Sequence, residues 1–180
     1  MSYEKNVVFS LDEDLLTTLI NLSISLEKIQ DGNHYFFKWA MISAHNAVQT
    51  AMCLCLMVVD SKLVRKKETY DKDYGDLDTI QWLYKKLLDP RFAIYIGSKT
   101  IDPNDYPIAT IERLQKVRNT FIHQQPSHYF FTRIELVELI DFSTKLVKFL
   151  VSESERMALG SIKASIEQEI SNVERQITNC

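Results

Sequence analysis

The chain has 180 residues and a mass of 21.0 kDa, which fits one domain. Its 46% hydrophobic and 25% charged residues exclude a disordered chain and a protein embedded in lipid along most of its length. The net charge of −3 excludes a generally basic, non-specific nucleic-acid binder and leaves only a local patch for such a partner.

Gly and Pro together supply about 4% of the chain, against roughly 12% in average usage. So few turn formers argue against a sandwich or barrel of short strands and favour long helices. Three cysteines, Cys53, Cys55 and Cys180, form no disulfide framework and suit a reducing compartment. Cys53 and Cys55 lie in an apolar run and are expected in the core. No His/Cys cluster completes a metal site, so neither metal nor cofactor is expected. Met1 to Asn6 is polar and no cleavable apolar stretch follows it. The run from Trp39 to Val59 carries His45, Asn46, Gln49 and Thr50 near its middle, where lipid would penalise them. The expectation is therefore a cytoplasmic protein with no membrane partner.

In chain order, the first helix starts near Ser10, where Ser10 and Glu13 make a capping-box pattern. Leu15, Leu19, Leu22, Leu26 and Ile29 then recur at helical spacing. Asp31-Gly32-Asn33 is a turn. A second helix runs from about Tyr35 to Lys62, apolar almost all round, as a central helix of a bundle is. The stretch from Lys62 to Asp76 reads as a solvated loop, its basic Arg65-Lys66-Lys67 diluted by Glu68, Asp71, Asp73 and Asp76. A third helix covers about Leu77 to Asp89 and stops at Pro90. Residues 91–106 look irregular.

Pro107 opens a fourth helix as a first-turn residue. It continues through Ile111, Leu114 and Val117 to about Phe121, with a break marked by Pro126. A fifth helix spans Thr132 to Val151. Beyond it, Ile162, Ile166, Ile170, Val173 and Ile177 form one narrow apolar stripe that seeks a partner helix. The fold expected is an all-α, up-and-down bundle of four to five main helices plus a C-terminal helix. Residues 1–151 would form the bundle and residues 152–180 a helical extension.

The stretch with chemistry is Arg118-Asn119-Thr120-Phe121-Ile122-His123. Arginine offers a planar fork for phosphate oxygens, and histidine titrates near neutral pH. On a continuous helix positions 118 and 123 stand about 140° apart, so a helix end or bend near Phe121 is needed for both to face one cleft. Asn119 is placed to orient either group. The plainer use of Arg118 and His123 is at a helix end, where cations suit the macrodipole.

The pattern R-N-x-F-I-H, late in a helix of an all-helical chain, resembles the HEPN superfamily. That superfamily is marked by R-x(4–6)-H, often with a polar residue directly after the arginine. The small and apolar helix before it, with Ala40, Ala44, Ala47 and Ala51, also resembles the family's helical hairpin. The resemblance covers about residues 10–151. It implies a metal-independent endoribonuclease of the toxin or antiviral-defence type, with a composite site shared by a homodimer. By that resemblance Arg118 would hold the scissile phosphate, and His123 would move protons during attack of the ribose 2′-OH. Asn119 occupies the family's polar position. The alternative is a non-catalytic HEPN-like module that binds RNA or a protein partner, and a third possibility is a helical adaptor that uses the isoleucine stripe. A protein partner could include an antitoxin. A HEPN subclass that pairs with nucleotidyltransferases carries Tyr two residues after the histidine; Gln125 stands there in this chain.

Flanking residues complete the expected RNA footprint: Arg113, Lys116 and Arg133, with His128 in the loop after Pro126. Tyr129, Phe130 and Phe131 are candidates for stacking on bases, or for packing. His45 is expected as a satisfied core histidine, with a role facing the composite site as its alternative.

Overall fold

The computed structural model describes residues 10–72, 75–123 and 130–180. Among the described residues there are seven α-helices and no β-strand, so the chain is an all-α helical bundle. The helices are α1 (Leu11–Gln30), α2 (Phe37–Met57), α3 (Ile80–Leu87), α4 (Pro90–Ile96), α5 (Ile108–Ile122), α6 (Arg133–Glu153) and α7 (Lys163–Ile177). Four of them close a ring: α1 packs on α2, α2 on α6, α6 on α7, and α7 back on α1. Helices α3 and α5 lie on each other and on α2.

Helix α2 is the hub because it is apolar on nearly every side. Ala40, Met41, Ala44, Val48, Ala51, Met52, Cys55 and Leu56 are all fully buried. Small residues at Ala40, Ala44, Ala47 and Ala51 let neighbouring helices approach closely. The segment 34–57 is long and apolar enough to cross a membrane by length and composition, yet 72% of its apolar window is buried inside this bundle. Cys53 and Cys55 are buried as expected, and burial pushes both thiols up to about 12.

Helix α7 is the fourth member of the ring rather than an extension beside it. Its stripe is already covered: Ile166, Ile170 and Val173 are 0%, 2% and 0% exposed, facing α1 and α6. Full burial of such side chains stabilises by about 1.5–3 kcal/mol each. Polar contacts fix the register. Ser23 Oγ donates to Gln176 Oε1 at 3.0 Å, Gln30 Nε2 donates to the Gln176 carbonyl at 2.8 Å, and Lys148 pairs with Glu174 at 2.8 Å. Ile166, Ile170 and Val173 of the stripe are thus covered within the chain, while Ile162 and Ile177 are half-buried.

Several boundaries differ from expectation, each for a local reason. Helix α2 ends at Met57, not Lys62, because Asp60 accepts from the Lys62 N–H and starts a separate short turn over Ser61–Val64. Pro90 does not end a helix but begins one. Asp89 accepts from the Arg91 N–H at 3.0 Å, so Asp89-Pro90 is a cap followed by a first-turn proline. That helix, α4, closes at Gly97, whose φ of +61° suits a residue without Cβ. Pro107 occupies the cap position of α5, one residue before the place expected. At Ser10 the hydroxyl bonds the Glu13 carboxylate at 3.0 Å instead of a backbone N–H, so the capping box is not formed.

Residues 61–72 and 75–79 are also more structured than a solvated loop. Arg65 and Leu77 form an antiparallel bridge, with Lys66 N–H to the Asp76 carbonyl and Asp78 N–H to the Val64 carbonyl, both at 2.9 Å. Lys86 Nζ reaches the Leu63 carbonyl and the Asp78 carboxylate, each at 2.8 Å. These bonds hold Lys66 and Asp78 against the α2–α5 side of the molecule.

Candidate functional site

Helix α5 buries Ile111, Leu114 and Val117 completely. Its next face, one residue around, carries Gln115, Arg118 and Asn119, all half-buried. Opposite them, α2 presents His45 and Gln49, again one turn apart. Together with Lys66 and Asp78 these residues line an open cleft of about 470 Å³.

One hydrogen-bond chain runs through the cleft. Arg118 Nη1 donates to Asn119 Oδ1 at 3.1 Å, and Gln115 Nε2 donates to the same oxygen at 2.8 Å. Gln115 Oε1 meets His45 Nε2 at 2.9 Å. The arginine sets the direction of every bond, because a guanidinium can only donate. Asn119 must accept through its carbonyl oxygen. Gln115 must then donate with its amide nitrogen and accept with its oxygen, so His45 carries its proton on Nε2. The contact between His45 Nδ1 and the Asn46 amide at 3.4 Å becomes a bond when the Asn46 NH₂ group is turned toward the ring. Burial holds the His45 pKa below its ordinary value, and the Arg118 charge adds to that effect, while the bond to Gln115 opposes it. His45 is 2% exposed.

Arg118 is the least satisfied member. Its Nε is buried and has no hydrogen-bond partner among the described residues. Among the described residues no carboxylate pairs with it. An unpartnered buried N–H typically costs about 1–3 kcal/mol, so a half-buried, unpaired guanidinium in an open cleft is poised for an anion. The other carboxylate nearby, Asp78, is already neutralised by Lys86.

His123 is placed differently. It caps the C-terminus of α5, with its N–H bonded to the Asn119 carbonyl at 3.0 Å, and its side chain is exposed. The helix does end at the motif, as expected, but His123 does not line the Arg118 cleft. Asn119 lies between the two in angle, about 40° from His123 and about 100° from Arg118. Ile122, next to His123 in sequence, is exposed.

The expected flanking footprint divides. Lys116 is exposed. Arg113 has an internal role instead: its Nε donates to Glu135 Oε1 at 2.8 Å, and its guanidinium lies 5.8 Å from the Phe131 ring centre. Phe131 in turn packs on Phe121 at 5.3 Å between ring centres. Arg133 is exposed, and its Nε donates to the terminal Cys180 carbonyl at 2.8 Å. His128 and Tyr129 lie outside the described residues. Gln115 was missed in the sequence. Its signal was two polar pairs at i,i+4, His45/Gln49 and Gln115/Asn119, on helices that are otherwise core-forming. Among the described residues no group of three or more His, Cys, Asp or Glu is placed to hold a metal ion. The chain matches no protein-family model, no curated protein and no solved structure.

Proposed function

We propose that the protein is a HEPN-type, metal-independent endoribonuclease that works as a homodimer in the cytoplasm, as a toxin or antiviral effector. The observation that supports this reading best is Arg118: half-buried in an open cleft, steered by Asn119, its Nε without a partner and no carboxylate beside it. A scissile phosphate supplies what that guanidinium lacks. His123 takes the proton from the ribose 2′-OH as this oxygen attacks phosphorus. The P–O5′ bond breaks, the 5′ oxygen receives a proton, and the products carry a 2′,3′-cyclic phosphate and a 5′-OH. Because His123 stands outside its own chain's cleft, the reading requires His123 of a second copy to approach Arg118. Exposed Ile122, next to His123 in sequence, suits such a contact.

The test is cleavage of an RNA panel by purified protein in EDTA. Wild type cleaves; Arg118→Ala and His123→Ala each lose about 10²- to 10⁴-fold. A mixture of the two variants regains part of the activity, because one intact Arg118 meets one intact His123. Equal cleavage by wild type and both variants would sink the assignment. The separation of His123 from the cleft within one chain favours a second reading, a non-catalytic module that holds RNA or a protein partner on Arg118. That reading expects salt-sensitive binding without turnover.

A further inference from the structure

The Arg118 cleft does not end at Asp78. A second cleft, of about 460 Å³, opens on the other side of the same wall and shares Lys66, Asp78 and Thr79 with the first. Its walls include Trp82 and Tyr70. Trp82 projects from α3 and is 55% exposed, although an indole of this size gains most from burial. Lys85 Nζ lies over one face of the ring, 4.5 Å from its centre, so a stacking base would displace this exposed cation or use the ring's remaining exposed surface. Across the two clefts the charged wall residues are Lys66, Lys67, Lys86 and Arg118 against Glu68 and Asp78. That is a net positive lining in a chain whose net charge is −3. Lys66 also contacts Asp76 at 3.6 Å, but both side chains are largely exposed and such a pair holds weakly.

A groove with cations along its floor and an exposed aromatic ring at one end is the arrangement that binds single strands, with phosphates on the cations and a base stacked on the ring. A duplex keeps its bases stacked inside and offers the ring nothing. We infer that the joined clefts form a track for single-stranded RNA, in which a nucleotide next to the phosphate held by Arg118 stacks its base on Trp82. This rests on the RNA reading above and adds to it a substrate form, single-stranded rather than double-stranded, and a stacking residue.

The chain has two tryptophans, so Trp39→Phe leaves Trp82 as the sole reporter. Trp39 sits on a different cleft, beside Ile24 and Phe36. The probe is a mixed-sequence 2′-O-methyl RNA 12-mer, which lacks the nucleophilic hydroxyl and stays intact. Saturable quenching of Trp82 emission by the single strand is expected, with little change from the same sequence as a duplex. Trp82→Ala should weaken binding of the single strand about tenfold, and Trp82→Phe should restore most of it. If Trp82→Ala binds like wild type while Arg118→Ala loses binding, the track is wrong and the RNA reading stands. If the duplex quenches as strongly as the single strand, the stacking role is wrong. If wild type binds neither this probe nor unmodified RNA, both the track and the RNA reading fall.

Discussion

Two glutamines in this bundle occupy similar positions and do different things. Gln176 on α7 is buried; its oxygen takes the Ser23 hydroxyl, its nitrogen donates to Glu27, and its carbonyl takes Gln30. Every polar atom in that cluster has a partner, and the apolar stripe around it is covered. Gln115 on α5 is also bonded at both ends, to His45 and Asn119, but its chain terminates on a guanidinium with a buried, unpartnered Nε. The first cluster closes a helix interface. The second holds one group in an unsatisfied state at the edge of an open cleft. Folding alone has no use for that arrangement, since replacing an unpaired buried donor by an apolar group of like shape often costs nothing.

The comparison breaks most sharply at Arg118. Arg118→Met should abolish RNA binding and cleavage while leaving the melting temperature unchanged or raised. A large loss of stability would instead make Arg118 a structural residue. On the α7 side, Ile170→Ala should destabilise the whole bundle by about 2–5 kcal/mol, measured by urea unfolding, in a single transition. A separate early transition would show that α7 folds as an independent extension.

The paired test is Gln115→Leu against Gln176→Leu. Each strands bonded partners and should cost about 1–3 kcal/mol. Only Gln115→Leu should also weaken RNA affinity, by about tenfold, because only that glutamine steers Asn119 and Arg118. Equal affinity losses would erase the distinction drawn here. The smallest effect concerns pH. The His45 pKa is lowered in the folded state from an ordinary 6.5. Above about pH 6.5 both folded and unfolded forms are neutral and the ring contributes no pH dependence. Below it the unfolded chain takes up a proton that the folded chain resists, so stability falls as pH falls. His45→Gln should remove that part of the slope, read as the difference in melting temperature between pH 7.5 and 5.5 for variant and wild type.

Much of this molecule was legible in its residues. The all-α class follows from scarce turn formers and helical periodicity, and α1, α5 and α6 lie close to the expected spans. The cleft was legible only in part. Arg118 and Asn119 stood out as a motif, but Gln115 was marked only by its i,i+4 spacing to Asn119, and His45 looked like core. Its partner is Gln115, 70 residues away, and only packing of α2 against α5 brings them together. Arg113 and Arg133 looked like RNA contacts because sequence shows a charge and not its neighbour. Glu135 and the Cys180 carbonyl answer them in the fold.

What the sequence by itself determined is what depends on near neighbours: where helices form, which faces are apolar, and that Arg118 and His123 stand close to a helix end. Caps, helix periodicity and turn chemistry act over a few residues, so they are readable in order. What only the tertiary structure decided is which surfaces remain open. The isoleucine stripe of α7 became the fourth wall of the bundle because α1 and α6 left a matching apolar gap. Lys66, Asp78 and Thr79 became the wall shared by two clefts because Lys86 and the Arg65–Leu77 bridge hold this segment against α3. Among the described residues Arg118 has no carboxylate partner, and Asp78, which lines the same cleft, pairs with Lys86. Each of these outcomes is set by distance in space between residues far apart in the chain.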